Sequence, residues 1–425
     1  MEKKIIENKR TGEKYIQIDH PSGLRICVWP MEGYSTTHAL FGTRYGSVNT
    51  HFKTKEEKDF ISVPNGIAHY LEHKLFENED CNVFSLYAET GASANAYTGF
   101  DRTCYLFSCT DNFEPSLEIL LDFVQKPYFT AENVAKEQGI IGQEIRMYDD
   151  NPNWQVFFNM LRGLYFNHPV KIDIAGTVES IAQINADLLY KCYNAFYNLH
   201  NMVLSIAGNV DVDRIIEICD RLLKPNDNMN LEITFPDEPD EVAEKVIRRK
   251  MPVSMPLFNI GYKSRAYTGL EAVRAEVETN MVLMLLADES TDFYKKLYDG
   301  GYITPGFSSE VFSGNGYFVS IFGGESRQPE KVLELINEEV ELRKKIGFDR
   351  ELFDNVKKSY YGSLIRDLND PETLATSMLN STMDEVDAFA VLDAVAAVTP
   401  EDLIERLKIQ FNTENATLSI IEPQD

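Results

Sequence analysis

Apolar residues recur along this chain with two periods, and the changes between them lay out its elements. Residues 24–31, LRICVWPM, and 38–48, HALFGTRYGSV, read as strands. EKVIRRKMPV (244–253) and PLFNIGYKS (256–264) repeat that pair later in the chain. In 66–77, GIAHYLEHKLFE, residues Ile67, Leu71 and Leu75 fall at i, i+4 and i+8, the inward stripe of a helix. Pro64 and Gly66 mark the turn before it, and Asn65 is placed to cap it. His69, Glu72, His73 and Phe76 form a second stripe, about 200° of rotation away, free to face a cleft while the first packs inward. In 92–97, Ala92, Ala94 and Ala96 alternate with Ser93, Asn95 and Tyr97, the period of a strand with one flat, small-residue face. Longer helical patterns cover residues 130–148 and 270–290.

The pattern occurs twice. INADLLYKCYNAFYNLHNMVLSI (184–206) aligns without a gap to VTPEDLIERLKIQFNTENATLSI (398–420). FTAENVAKEQGIIGQEI (129–145) aligns to FDRELFDNVKKSYYGSL (348–364) at nearly the same shift, about half the chain. Two concordant shifts indicate a duplicated domain. The join is expected in 224–245, which carries three prolines, many acidic residues and little periodicity. The sequence therefore predicts two homologous domains, 1–232 and 233–425. Strands and helices do not alternate strictly, so each domain is expected to be α+β: a mainly antiparallel sheet covered by helices on one face.

Composition changes the picture only at its margins. A chain of 425 residues suits two hydrophobic cores, and 44% hydrophobic with 25% charged residues is ordinary for a globular protein. The formal net charge of −26 argues against nucleic acid or anionic lipid as partner. No run of about 18 apolar residues is present, so no membrane span is expected. The polar start, MEKKIIENKRTGEKYIQIDH, lacks the apolar stretch of a secretory signal. The six cysteines, Cys27, Cys81, Cys104, Cys109, Cys192 and Cys219, form no CxxC pair. Cys104 and Cys109 share a strand but point to opposite faces. Reduced thiols in a cytoplasmic protein are the expectation.

Histidines at i and i+4 on one helical face can bring two imidazole nitrogens to a single Zn²⁺. Glu72, one residue before His73, would sit beside the ion and serve as the base that takes a proton from water. His-x-x-Glu-His is the inverted zinc-protease motif. The alternative is two solvated or hydrogen-bonded histidines on an amphipathic helix. Glu144 is a candidate third ligand, with Glu137 on the same face two turns earlier placed to orient a ligand; the alternative is two surface glutamates on a helix. The repeat bears on this choice. Glu144 aligns with Ser363 and Glu137 with Val356, and all seven histidines lie at or before His200. The 270–290 helix, taken as the counterpart of 66–77, has none. A purely structural role would more naturally appear in both copies. His168 reads as a structural histidine rather than a cleft residue.

HYLEH, the glutamates seven apart and GASANAYTGFDRTCYLFS (91–108) together resemble the insulinase/pitrilysin family of zinc peptidases, in its half-size bacterial branch. GQEIRMYDDNPNW (142–154) and DIAGTVESI (173–181) also match a bacterial subgroup of it. The resemblance is strong over 20–210 and weak after 230. It implies one Zn²⁺ per chain, held by His69, His73 and Glu144, with Glu72 as general base and Glu137 as a supporting acid. It implies that Ser93, Asn95, Ala96 and Tyr97 lie on an edge strand that pairs with a substrate backbone. Where the family carries an arginine and a tyrosine from the second domain, KKLYDGGYITPGFSSE (295–310) has Tyr298 at the arginine position and Tyr302 nearby, a departure from the family pattern. The implied activity is endopeptidase cleavage of extended peptides in a clamshell chamber. The implied partner is a second chain, identical or homologous and lacking the zinc motif. The competing expectation is a non-catalytic subunit of a larger peptidase or processing complex. A redox or metal module built on the cysteines is disfavoured by their spacing.

Overall fold

The computed structural model describes residues 2–79 and 82–424. In chain order the first half contains β1 (Lys3–Glu7), β2 (Lys14–Asp19), β3 (Arg25–Pro30), β4 (Thr37–Thr43), β5 (His51–Lys53), β6 (Ile61–Ser62), α1 (Ile67–Leu75), α2 (Val83–Thr90), β7 (Ser93–Thr98), β8 (Thr103–Cys109), α3 (Phe113–Val124), α4 (Ala131–Asp149), α5 (Pro152–Leu164), α6 (Val178–Ile181), α7 (Ala186–Phe196), β9 (Met202–Gly208), α8 (Val212–Leu222) and β10 (Glu232–Ile233). The second half follows with β11 (Val246–Met251), β12 (Leu257–Ser264), α9 (Gly269–Ala287), α10 (Asp292–Asp299), β13 (Ser308–Gly314), β14 (Tyr317–Glu325), α11 (Pro329–Ile346), α12 (Arg350–Asp367), α13 (Pro371–Met383), α14 (Ala390–Ala397), α15 (Pro400–Gln410) and β15 (Ala416–Pro423).

Two compact units result, and both are discontinuous. The first comprises Met1–Ile145, Asp173–Thr234 and Ile365–Phe389; the second comprises Arg146–Ile172, Phe235–Leu364 and Ala390–Asp425. Helix α13 therefore belongs to the first unit and α5 to the second. The sheet of the first unit runs β1-β2-β3-β9-β4-β8-β7, and that of the second runs β11-β15-β12-β14-β13. Neighbours are antiparallel except β3 with β9 and β11 with β15. From β3 onward the two orders are the same topology, which is the duplication expressed in three dimensions.

The expected layer of helices covers one face of each sheet. In the first unit Ile26, Val28, Phe41, Leu204 and Ile206 point into a core shared with α1, α3, α4 and α7. In the second, Phe258, Ile260, Leu418 and Ile420 point to a core shared with α9, α11 and α15. Each unit adds one helix on the opposite face. In the first unit α13 lies across β9, β4 and β3, which is why every residue of β4 and β9 is buried. The Ser205 hydroxyl donates to Ala375 O there, at 2.7 Å. In the second unit α5 lies across β15 and β12. Each close approach needs a glycine within a strand. A Cβ on Gly42 would stand 2.8 Å from Met383 Cε and 3.0 Å from Leu379 Cδ1. At Gly261 it would stand 2.7 Å from Met160 Sδ and 2.8 Å from Leu164 Cδ1. No described helix is long and apolar enough to cross a membrane.

Candidate metal centre

Helix α1 starts at a position Asn65 does not cap. Its N-cap is Gly66, at φ 88°, with no side-chain cap. A Cβ at Gly66 would lie 2.3 Å from Ala175 O, so glycine is required by backbone angle and by space. Asn65 instead offers its carbonyl to the Ser180 hydroxyl, at 2.8 Å. From this start Ile67, Leu71 and Leu75 are buried as the spacing predicts, and Ala68, Tyr70 and Lys74 join them. The Tyr70 hydroxyl donates to Val134 O, binding α1 to α4. On α4 the buried stripe is Val134, Glu137, Ile141 and Ile145. Lys74 has no exposed surface and pairs with Glu77, which also meets Lys136 of α4 at 3.5 Å.

The two helices bring together five side chains. His69 Nε2 lies 3.8 Å from Glu144 Oε1, and His73 Nε2 lies 3.5 Å from Glu144 Oε2. One ligand atom from each of His69, His73 and Glu144 can be chosen so that all lie within 4.8 Å of one another. The other nitrogen of His73, Nδ1, donates to Glu137 Oε1 at 3.0 Å. That bond fixes the ring orientation and leaves Nε2 as the lone-pair nitrogen. Nδ1 of His69 is buried and finds no hydrogen-bond partner among the described residues. Glu72 Oε2 accepts from the Thr98 hydroxyl at 2.6 Å.

The electrostatics follow from burial and from the three carboxylates. Burial, then the neighbouring His73, pushes His69 down to about 3, so its imidazole stays neutral, as a ligand must be. Burial pulls His73 down as well, but the Glu137 hydrogen bond and the charges of Glu72, Glu137 and Glu144 outweigh it and raise it above the ordinary histidine value. Burial raises Glu72 against the opposing pull of the Thr98 hydroxyl.

The residues fit a zinc ion. Two nitrogens and one carboxylate oxygen form a His₂Glu set, and ligands about 2.1 Å from a tetrahedral zinc lie roughly 3.4 Å apart. The observed 3.5 and 3.8 Å separations are close to that. Three carboxylates around two imidazoles leave an excess of negative charge, which a divalent cation would balance.

A cleft of about 670 Å³ borders the group, lined by Glu72, His73 and Glu137, by Asn95 and Ala96, and by Phe76. Strand β7 pairs only with β8 and is the free edge of its sheet. Its alanines pack inward, while Ser93, Asn95 and Tyr97 are exposed. Tyr298 is exposed on α10 and Tyr302 is half-buried in the turn after it, both in the second unit. Thr98 and the Lys74–Glu77 pair escaped the sequence reading. Thr98 was within reach of it, because it shares the period-2 inward face of Ala94 and Ala96.

Comparisons with known proteins complete the description. A model of the insulinase family, Peptidase family M16, matches residues 62–178. A model named Peptidase M16 inactive domain matches residues 183–360. The chain is 38% identical to the uncharacterized zinc protease YmfH of Bacillus subtilis (strain 168), over 99% of both chains. It is 29% identical over 209 residues to the mitochondrial-processing peptidase subunit beta of Caenorhabditis elegans, covering 47% of this chain and 43% of that protein. A crystal structure of an M16-like peptidase from Alicyclobacillus acidocaldarius matches with a TM-score of 0.92 at 32% identity, covering 100% of this chain and 98% of that one.

Proposed function

We propose, from the premise that this chain belongs to the insulinase family of M16 peptidases, that it is a zinc-dependent endopeptidase acting on extended peptides. One zinc per chain would be held by His69, His73 and Glu144. The observation that carries this reading is the convergence of those three donors from two helices, with the half-buried carboxylate of Glu72 beside them. When bound, the ion supplies Lewis acidity, polarising the scissile carbonyl and bringing the pKa of water towards about 7.

The chain's own groups supply the proton transfers and the positioning. Glu72 takes the proton of the attacking water and returns it to the leaving amine. Its upward shift from burial moves the carboxyl toward the working pH, where a general base that must later act as an acid is most effective. Glu137 holds the His73 ring through Nδ1. The free edge of β7, at Ser93, Asn95, Ala96 and Tyr97, would take the substrate backbone as an added strand. Tyr298 and Tyr302 are assigned to substrate contact from the second unit. A second chain, identical or homologous, is the proposed partner, in keeping with a relative that is named as a subunit.

The test is a peptide mixture incubated with purified protein, with and without chelator, and the fragments identified by mass. Wild type should cleave and chelator should stop it. Glu72→Gln should retain zinc and lose cleavage. Cleavage by E72Q at the normal rate would remove Glu72 from its role. No cleavage by zinc-loaded wild type across the mixture would favour the non-catalytic subunit instead.

A further inference from the structure

We infer that Thr98 is a positioning residue for the catalytic base: its hydroxyl holds the carboxylate of Glu72 in position to meet the attacking water. The inference rests on the reading of Glu72 as base and assigns a role to a residue outside the motif.

Thr98 Oγ1 lies 2.6 Å from Glu72 Oε2, within the range of a charge-assisted hydrogen bond. A threonine hydroxyl has one proton to give. The neighbouring hydroxyl does not compete for it. Thr103, paired with Thr98 across the β7–β8 hairpin, donates to Tyr45 O at 2.7 Å, and its Oγ1 is 3.4 Å from Thr98 Oγ1. The Thr98 proton is therefore committed to Oε2 of Glu72, and the Thr98 backbone N–H faces the same carboxylate. Thr103 is wholly buried, so the anchor of this short chain is rigid. Thr98 also ends β7, the strand whose free edge is assigned to the substrate. One element would then fix both the peptide and the carboxylate that acts on its bond.

The second unit supplies a control. Ser313 of β13 donates its hydroxyl to Glu276 of α9, two residues along the strand from Val311, which is in register with Thr98 when Gly261 is matched to Gly42. A strand-to-helix bond of the same chemistry is thus present in a unit whose helix carries no histidine, at a different place along the strand. The cost of losing such a bond can be measured at Ser313 and compared with the cost at Thr98.

The experiment compares Thr98→Val, Thr98→Ser and Ser313→Ala in the full chain, with Thr98→Ala in place of T98V if that protein does not fold. T98V should lose about 10- to 100-fold in kcat, with KM and zinc content unchanged and a melting temperature lowered no more than in S313A. T98S should restore kcat, and S313A should leave it unchanged. Crystal structures of the zinc-loaded proteins should show the Glu72 carboxylate turned in T98V and in place in T98S. Wild-type kcat in T98V, an unmoved Glu72 carboxylate, or a loss of stability well beyond that of S313A would each overturn the inference. E72Q separates the two claims. If E72Q is inactive and T98V is fully active, Thr98 fails and the peptidase reading stands. If wild type itself does not cleave, that reading fails, and the crystal structures still decide whether Thr98 holds Glu72.

Discussion

Acid should weaken the second unit through one histidine, and the structure sets the size of the effect. His168 is 1% exposed. Its Nε2 donates to Asn315 O at 3.0 Å, and its Nδ1 accepts from the Val170 N–H at 3.1 Å. The ring lies against Phe235, centroids 4.9 Å apart, with Tyr165 and Tyr317 beside it. Both nitrogens are thus committed as a neutral ring, and a proton on Nδ1 would face the Val170 N–H. Burial pushes the group down to about 4, although the Asn315 carbonyl and Glu238 pull upward; Lys263 adds to the fall. In the unfolded chain the value is about 6.5. The folded value is the lower one, so the unfolded state takes up the proton first as pH falls. The contribution is intact above pH 6.5, is lost progressively from there to about 4, and is constant below that. The difference between the two values corresponds to roughly 3 kcal/mol. That is a large share of a total stability of about 5–15 kcal/mol.

The measurement is denaturant unfolding of wild type and His168→Asn between pH 7.5 and 4.5. Of the two tryptophans, Trp154 lies in the second unit and Trp29 in the first, so a Trp29→Phe background makes the fluorescence report the second unit. Below pH 6.5 the stability gap between the two proteins should narrow by about 1.4 kcal/mol per pH unit. A gap independent of pH over that range would refute the argument.

Two further outcomes follow from the geometry of the first unit. Glu137→Gln should weaken zinc binding about 10- to 100-fold, measured by competition with a chelating dye, because the His73 ring loses its charged anchor at 3.0 Å; unchanged affinity would remove Glu137 from that role. Leu379→Ala should cost about 2–5 kcal/mol and Gly42→Ala about 1–3 kcal/mol in thermal or denaturant unfolding. Because a Cβ at 42 would lie 3.0 Å from Leu379 Cδ1, the double variant should lose less than the two single losses added together.

The parts of the structure legible in the sequence are those that local periodicity determines. An i, i+4 spacing places His69 and His73 on one helical face whatever the rest of the chain does, and a seven-residue spacing does the same for Glu137 and Glu144. That the two faces meet is a long-range fact. It was reached from the repeat, because the second copy lacks the same residues. The positions of α5 and α13 were not legible, since an apolar face tells that a helix is buried but not against which sheet. The signal that existed was in the strands: Gly42 and Gly261 stand inside hydrogen-bonded strands, where glycine is otherwise costly, and mark a close approach. The buried Lys74 was hidden for another reason, since a lysine in a helical pattern reads as solvated until its carboxylate partner is placed. The duplication orders these observations. Gly42 and Gly261 occupy equivalent places in both units and serve the shared scaffold. His69, His73 and Glu144 have no equivalents, and a scaffold that folds without them in one unit does not need them for folding in the other. Their convergence in the first unit is the observation on which the proposed chemistry rests.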